Sequence, residues 1–153
     1  MRLLFVCTGN TCRSPMAEAI ARQVAASRGV SCEVGSAGTS AWDGGPASDG
    51  ALLVALEHGL DLAGHRARSI SPELVAAADV ILTMGGHHRE RVLALGGEGR
   101  TFLLSAYAAG AEEGRPVSDP FGGDLDTYRE TFDELAAHIA RVFDRFGRGA
   151  EPA

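Results

Sequence analysis

The chain has 153 residues, of which 45% are hydrophobic and 22% are charged, and this favours one globular domain with a buried core. Its net charge is −6, which argues against a nucleic acid or an anionic membrane as partner, because both select a basic face. Three irregularly spaced cysteines are not a disulfide framework, and no apolar run reaches the roughly 20 residues of a membrane span, so we expect a cytoplasmic protein.

Short apolar runs alternate with helical patterns along the chain. The first run, Leu3 to Val6, is typical of a buried strand and leads into a polar loop. Ser14-Pro15 then predicts the start of a helix that ends at Gly29. The other predicted strands cover residues 30–34, 79–84 and 101–104, and the other predicted helices cover residues 51–58, 71–77, 89–95 and 125–146.

Strands that alternate with helices predict an α/β fold with a parallel sheet. We expect one domain over residues 1–147, followed by a flexible tail over residues 148–153. Ligands of such sheets bind beyond the carboxyl ends of the strands. The loop after the first strand lies at that edge and is therefore the first candidate for a functional site.

This loop reads CTGNTCRSP, from Cys7 to Pro15. Its small residues let backbone N–H groups curl around one anion, and the following helix adds its positive N-terminal end. The same field favours the thiolate of Cys7, and Arg13 offers a planar fork for two phosphate oxygens. Together they predict nucleophilic phosphoryl transfer through a phosphocysteine that water later cleaves. The loop is not a nucleotide P-loop, since the chain has no lysine to complete that motif.

Cleavage of a phosphate ester or amide also requires a proton for the leaving group. The best candidate donor is Asp119, in the sequence DPFGG of a long polar loop. Proline keeps the residue before it extended, so this carboxyl group can reach into a neighbouring site. Asp-Pro on its own is more often only a turn, and the need of the Cys7 loop for an acid favours the catalytic role.

The segment VCTGNTCRSPMAE, together with the late DPFGG, resembles the low-molecular-weight protein-tyrosine-phosphatase family. The resemblance runs from Leu3 to about Phe146 and includes SAGTSAW and HRARSIS. It implies a single-domain, three-layer α/β/α fold with a four-stranded parallel sheet flanked by helices, and no metal or cofactor. It also implies catalytic roles for three residues: nucleophile Cys7, phosphate-binding Arg13 and general acid Asp119. The remaining residues of the implied phosphate-binding loop are Thr8, Gly9, Asn10, Thr11, Cys12 and Ser14.

The resemblance also implies a supporting layer behind the loop. Asn10 and Ser14 would shape the loop and stabilise the thiolate, while Ser36 and His65 would hold Asn10 in place. Taken alone, His65 is more typical of a structural or surface histidine.

The other cysteines and histidines receive simpler interpretations. In the family, the residue equivalent to Cys12 can form a reversible disulfide with the nucleophile, which protects the nucleophile from irreversible oxidation. Cys32 is interpreted as a buried apolar residue of the second strand. The pair His87-His88 lacks a third metal ligand and is expected on a solvated face.

Three departures from the tyrosine-specific pattern concern the substrate. Thr11 stands where those members carry a bulky aliphatic residue, Phe121-Gly122 stands where they carry two aromatic residues, and TMGGHH stands where they often carry Met-Asp. In these features the chain is similar to the bacterial protein-arginine phosphatases. Threonine leaves a smaller, polar wall that tolerates a guanidinium, and Phe121 and Trp42 would line the slot. The alternatives are that Trp42 anchors its loop and that Thr11 is a neutral change within a tyrosine phosphatase.

We therefore expect a monomeric enzyme that acts on phosphorylated proteins, with phosphoarginine favoured over phosphotyrosine. Arsenate reductase on the same fold would require two further cysteines in the middle of the chain, and none follows Cys32. An inactive phosphate-binding module would be expected to have lost Cys7, Arg13 or Asp119, and all three are present.

Overall fold

Strands and helices alternate in the computed structural model, which describes residues 1–147. The strands are β1 (Arg2–Cys7), β2 (Glu33–Gly38), β3 (Val80–Thr83) and β4 (Thr101–Leu103). The helices are α1 (Arg13–Arg28), α2 (Asp49–Glu57), α3 (Pro72–Ala77), α4 (Gly86–Ala94), α5 (Leu104–Ala109) and α6 (Leu125–Gly147). The predicted tail, residues 148–153, lies outside the described residues.

The strands form one parallel sheet in the order β2-β1-β3-β4, so that β1 is central. Successive side chains of β1 enter two separate cores because they point to opposite faces of the sheet. Leu3 and Phe5 pack in the core shared with α1 and α6, whereas Leu4 and Val6 pack with α3 and α4. The molecule is the predicted three-layer α/β/α fold, and its central strand delivers Cys7 to the carboxyl edge of the sheet.

Helix α6 forms because its apolar residues recur at intervals of three and four and make one continuous stripe. That stripe is buried along the length of the helix, at Phe132, Leu135, Ile139, Val142 and Phe146. Each such side chain contributes about 1.5–3 kcal/mol when fully buried. The stripe therefore fixes the position of α6 against the sheet and α1.

The second strand lies further along the chain than the predicted residues 30–34. Helix α1 is closed by Gly29, at φ 68°, and the N–H of Val30 bonds back to the last turn of the helix. Strand β2 then continues through residues 35–38, which are all small and lie beyond the predicted end of the strand. A small residue is required at the end of the strand, because the backbone of Thr8 and Asn10 occupies the space that a Cβ on Gly38 would need.

Two further expectations were wrong. Leu104 was expected to end the fourth strand, but it begins α5, a short alanine-rich helix closed by Gly110 at φ 66°. Cys32 precedes β2 and is only partly buried, so it is not the buried strand residue that was expected. None of the helices described is both long and apolar enough to cross a membrane.

Candidate active site

The loop between β1 and α1 is shaped by one residue in the left-handed conformation, Asn10, at φ 55°. Asparagine is one of the few residues other than glycine that adopts this conformation readily. Within the part of the chain that the structure describes, the backbone N–H groups of residues 9–13 donate to no protein acceptor. They lie at the start of α1, where the helix dipole favours a negative charge. A loop with this arrangement can bind an anion.

Asn10 is completely buried, and its amide group and carbonyl oxygen are all bonded. Its Nδ2 donates to Ser14 Oγ at 2.8 Å and to Ser36 Oγ at 2.9 Å. Its Oδ1 accepts from the backbone N–H of Arg68 at 3.0 Å, and its carbonyl oxygen accepts from His65 Nε2 at 2.7 Å. The structure thus places both Ser36 and His65 directly against Asn10, where they hold the loop to the body of the protein.

The sulfur of Cys7 lies at the base of this loop, 2.9 Å from Ser14 Oγ. Since Asn10 donates to the same serine oxygen, the hydroxyl hydrogen of Ser14 is available to the sulfur. A hydrogen bond donated to sulfur stabilises the thiolate, which is the nucleophilic form of cysteine. The network around Asn10 therefore ends on the atom that would attack a phosphoryl group.

The guanidinium of Arg13 is buried and held from two sides. Nη1 donates to the backbone oxygen of Val117 at 2.8 Å, and Nη2 makes a longer bond of 3.4 Å to Thr8 Oγ1. Nη2 also lies 3.6 Å from Oδ2 of Asp119. The Nε atom is buried and has no partner among the described residues. A rigid arginine with a free N–H beside the anion-binding loop can bind a phosphoryl oxygen.

The carboxyl group of Asp119 is held by a tight turn. Its Oδ1 accepts from the N–H of Phe121 at 3.1 Å, and the N–H of Gly123 bonds to the oxygen of Pro120 at 2.8 Å. Gly122 supplies the positive φ, 82°, that this turn requires. The Asp-Pro segment therefore forms a turn and also places its carboxyl group near Arg13, so the two interpretations of the sequence are compatible.

These groups surround one cleft of about 390 Å³. Cys7, Arg13 and Asp119 all line it, and Thr11 forms part of its wall. Its remaining lining residues are Thr8, Gly9, Cys12, Trp42, Gly45, Pro46 and Phe121. A larger cavity of about 780 Å³ is lined by Glu18, Ser36 and His65 among others, but it touches none of the three chemical groups. The smaller cleft is therefore the candidate active site.

Two aromatic side chains stand at the mouth of this cleft. Trp42 is 88% exposed and Phe121 is 72% exposed. A side chain as exposed as Trp42 does not anchor its loop. The exposure therefore favours the interpretation in which Trp42 lines the substrate slot. Both rings are free to contact the stem of a bound substrate.

Cys12, which also lines the cleft, has a buried side chain. Its sulfur is 3.2 Å from Ser48 Oγ and 3.4 Å from the hydroxyl of Tyr128. Burial, reinforced by the hydrogen bond with Cys12, raises the pKa of Tyr128 to about 12, so its hydroxyl is protonated at neutral pH. All three cysteines are free thiols in this structure. The disulfide between Cys7 and Cys12 remains a prediction.

Sequence reasoning missed His88. It was expected on a solvated face with His87, yet it is completely buried, and its Nε2 lies 2.8 Å from Thr8 Oγ1. Burial, followed by the nearby charges of His87 and Arg13, lowers the pKa of His88 to about 4. One feature of the sequence could have placed His88 near the site. Helix α4 follows β3, and β3 is parallel to β1, so the start of α4 lies at the same edge of the sheet as the Cys7 loop. Residues 1–147 contain no group of three or more His, Cys, Asp or Glu side chains suited to a metal ion.

Known proteins are similar to this chain in sequence and in fold. The family model described as low molecular weight phosphotyrosine protein phosphatase matches residues 2–150. The chain is 39% identical over 137 residues to a protein-arginine-phosphatase of Bacillus subtilis, with 88% of this chain and 89% of the relative covered. It is also 39% identical over 143 residues to the low molecular weight protein-tyrosine-phosphatase PtpB of Staphylococcus haemolyticus, with 93% and 97% covered.

A similar solved structure is that of a YwlE arginine phosphatase mutant with a phosphorylated active-site serine. It superimposes with a TM-score of 0.90 at 35% identity, and the match covers 97% of each chain. The fold and the sequence therefore agree on one assignment. The chain is a protein phosphatase and belongs to the low molecular weight phosphotyrosine protein phosphatase family.

Proposed function

We propose that this phosphatase hydrolyses phosphoarginine in proteins through a phosphocysteine intermediate on Cys7. The observation that carries the proposal is the convergence of Cys7, Arg13 and Asp119 on one cleft whose wall includes Thr11. A single chain supplies all of these groups, and we expect the enzyme to act as a monomer.

In the first step the Cys7 thiolate attacks phosphorus, an S–P bond forms, and the P–N bond to the substrate guanidine breaks. Asp119 transfers its proton to the departing nitrogen. The N–H groups of residues 9–13 and the Nε–H of Arg13 bind the phosphoryl oxygens, on which negative charge is concentrated. The products of this step are a free arginine side chain and phosphocysteine.

In the second step water attacks the phosphocysteine. The Asp119 carboxylate takes a proton from that water, the P–O bond forms, and the S–P bond breaks. The thiolate that leaves is stabilised by the hydroxyl of Ser14, which lies 2.9 Å from the sulfur. The YwlE arginine phosphatase mutant carries a phosphorylated active-site serine, and this supports a covalent phosphoryl intermediate on Cys7 here.

Overall sequence identity does not distinguish phosphoarginine from phosphotyrosine as the substrate, since the arginine-phosphatase and tyrosine-phosphatase relatives are both 39% identical to this chain. The choice rests on Thr11. Its side chain is short and polar, so it leaves room for a flat cationic guanidinium, whereas a bulky aliphatic group would pack on a phenyl ring. The second candidate substrate is phosphotyrosine, and the exposed aromatic rings of Trp42 and Phe121 favour it by offering stacking surfaces.

The discriminating experiment measures kcat/KM on two peptides that differ only in carrying phosphoarginine or phosphotyrosine. We expect the wild type to prefer phosphoarginine and Thr11→Ile to shift the preference toward phosphotyrosine by about tenfold or more, the usual effect of a small change in pocket volume. Thr11→Ser is the matched control, because it keeps the hydroxyl and adds no bulk. A wild type that ignores phosphoarginine would refute the substrate assignment, and an unchanged preference in Thr11→Ile would refute the role of Thr11.

The covalent mechanism has a separate test. Cys7→Ser should lose turnover of both peptides, because an unactivated hydroxyl is a much weaker nucleophile than a thiolate. Turnover by this variant at a rate near that of the wild type would rule out the phosphocysteine mechanism for either substrate.

A further inference from the structure

We propose that His88 is a positioning residue for the catalytic arginine. Through the hydroxyl of Thr8, it holds the Arg13 guanidinium in the orientation that receives the phosphoryl group. The inference rests on the proposed function and adds to it a residue that lies far from the loop in sequence.

The contacts form a short relay between two elements. His88, in the first turn of α4, lies with its Nε2 2.8 Å from Thr8 Oγ1, and the same oxygen lies 3.4 Å from Arg13 Nη2. His88 is fully buried and Arg13 is 5% exposed, so water does not compete freely for either side chain. The hydroxyl of Thr8 is the only side-chain group among residues 1–147 that bonds to both of them.

The direction of these hydrogen bonds follows from what each group can donate. An arginine can only donate, so Thr8 Oγ1 is the acceptor toward Arg13. The Nδ1 atom of His88 is buried without a partner among the described residues. An orphaned lone pair is more readily tolerated in a protein interior than an orphaned N–H, which places the ring proton of His88 on Nε2. His88 therefore donates to Thr8, whose own hydrogen is left to donate into the cleft that Thr8 lines.

The relay requires a neutral imidazole, because a second positive charge beside Arg13 would repel it. Burial is the main cause that lowers the pKa of His88 to about 4, and the charges of His87 and Arg13 act in the same direction while Asp119 opposes them. The ring of His87 packs against that of His88, with the two ring centroids 3.8 Å apart. At neutral pH His88 is thus an uncharged donor of fixed direction.

Packing alone does not explain why a histidine occupies position 88. A buried imidazole with an unpartnered nitrogen is a costly way to fill space, and an apolar residue would do so without that penalty. What the imidazole adds is the bond to Thr8.

The test compares four single variants and one double variant, with inhibition by inorganic phosphate measured alongside kcat and KM. We expect His88→Leu to weaken phosphate inhibition and to lower kcat/KM, each by about tenfold, the value of one lost hydrogen bond. His88→Gln should recover most of both, since its amide nitrogen can reach the position of Nε2. Val92→Ala is the matched control, because Val92 is also fully buried on α4 but has an apolar side chain that cannot hydrogen-bond to Thr8. It should lower stability and leave phosphate inhibition unchanged.

Thr8→Val removes the shared hydroxyl while His88 stays in place, and it should weaken phosphate inhibition by itself. In that background, His88→Leu should add little, because the two changes break the same relay. If His88→Leu matches Val92→Ala, or if its effect multiplies with that of Thr8→Val, the proposal is wrong. A wild type that binds phosphate but hydrolyses neither phosphopeptide would instead refute the proposed function, and phosphate binding would still decide the role of His88.

Discussion

At the scale of single residues, Asn10 connects the Cys7 loop to several parts of the molecule at once. It bonds to Ser14 in α1, to Ser36 in β2, and to the segment between α2 and α3 through His65 and Arg68. A left-handed conformation costs roughly 1–2 kcal/mol for most residues, and hydrogen bonds of about 1 kcal/mol each offset that cost here. The shape of the anion-binding loop is therefore maintained by polar contacts that lie outside the cleft.

The site residues that could be predicted from the sequence either lie together in one short segment or supply a group that the proposed reaction requires. Cys7 and Arg13 stand in the same loop, and Asp119 was sought because phosphate cleavage requires an acid. His88 and Tyr128 were not predicted, because they reach the loop only through tertiary packing across 80 and 116 positions of the chain.

The titration of His88 predicts how stability depends on pH. Its pKa is about 4 in the folded protein, against 6.5 for an ordinary histidine, so between these values the unfolded chain binds a proton that the folded protein does not. The free energy of unfolding therefore contains a term that is present above pH 6.5 and is lost as the pH falls toward 4, amounting to at most about 3 kcal/mol. Urea denaturation of wild type and His88→Gln from pH 7 to pH 4 measures it. The wild type should lose more stability on acidification than the variant, and parallel curves would contradict the assignment.

At the scale of secondary-structure elements, the most regular patterns were predicted best. The long apolar stripe of α6 was visible because it extends over many turns, and β1 and β3 were visible as fully apolar runs. Strand β2 was misplaced because it ends in small residues, and at Gly38 a small residue is needed for the close approach of the Thr8 and Asn10 backbone. The need for a small side chain at the end of β2 comes from neighbouring segments of the chain, so it cannot be predicted from the strand propensity of the residues themselves.

The contact between α2 and α6 depends on the absence of one side chain. The ring of Tyr128 occupies the place that a Cβ on Gly50 would take. Alanine would gain up to about 1 kcal/mol of helix propensity, but overlap with a rigid ring costs about 1–3 kcal/mol. We therefore expect Gly50→Ala to destabilise the protein in urea denaturation and to move the Tyr128 hydroxyl away from Cys12.

A second glycine provides the control for this prediction. Gly86 is also helical, but a Cβ built there meets nothing within 4 Å, so Gly86→Ala should be neutral or slightly stabilising. Equal stability of the two alanine variants would show that α2 can shift away from α6 at little cost.

At the scale of the whole molecule, the net charge of −6 acts on every substrate that approaches the cleft. The general potential favours a substrate segment that is positively charged, and salt screens that attraction. This effect is independent of the chemistry at phosphorus, so it applies to either phosphorylated side chain.

The corresponding measurement uses two phosphopeptides that differ only in having basic or acidic flanking residues. At an ionic strength of about 0.05 M we expect the basic peptide to have the higher kcat/KM, and at about 0.5 M the difference should shrink, because the Debye length falls to a few ångströms. Equal values at low salt, or a preference for the acidic peptide, would show that local charges at the cleft outweigh the net charge.

The contacts that complete the cleft also determine the stage of folding at which the cleft forms. The bond from Arg13 to Val117 spans 104 positions, and the contact of Cys12 with Tyr128 spans 116. Contacts this distant in sequence form late, since their loop-closure entropy is not recovered until most of the chain is in place. A newly made chain therefore lacks the proposed phosphate-binding site around Cys7 until folding is complete. Phosphate that binds this finished site raises stability by mass action, so the onset of its binding during refolding reports the arrival of the native state.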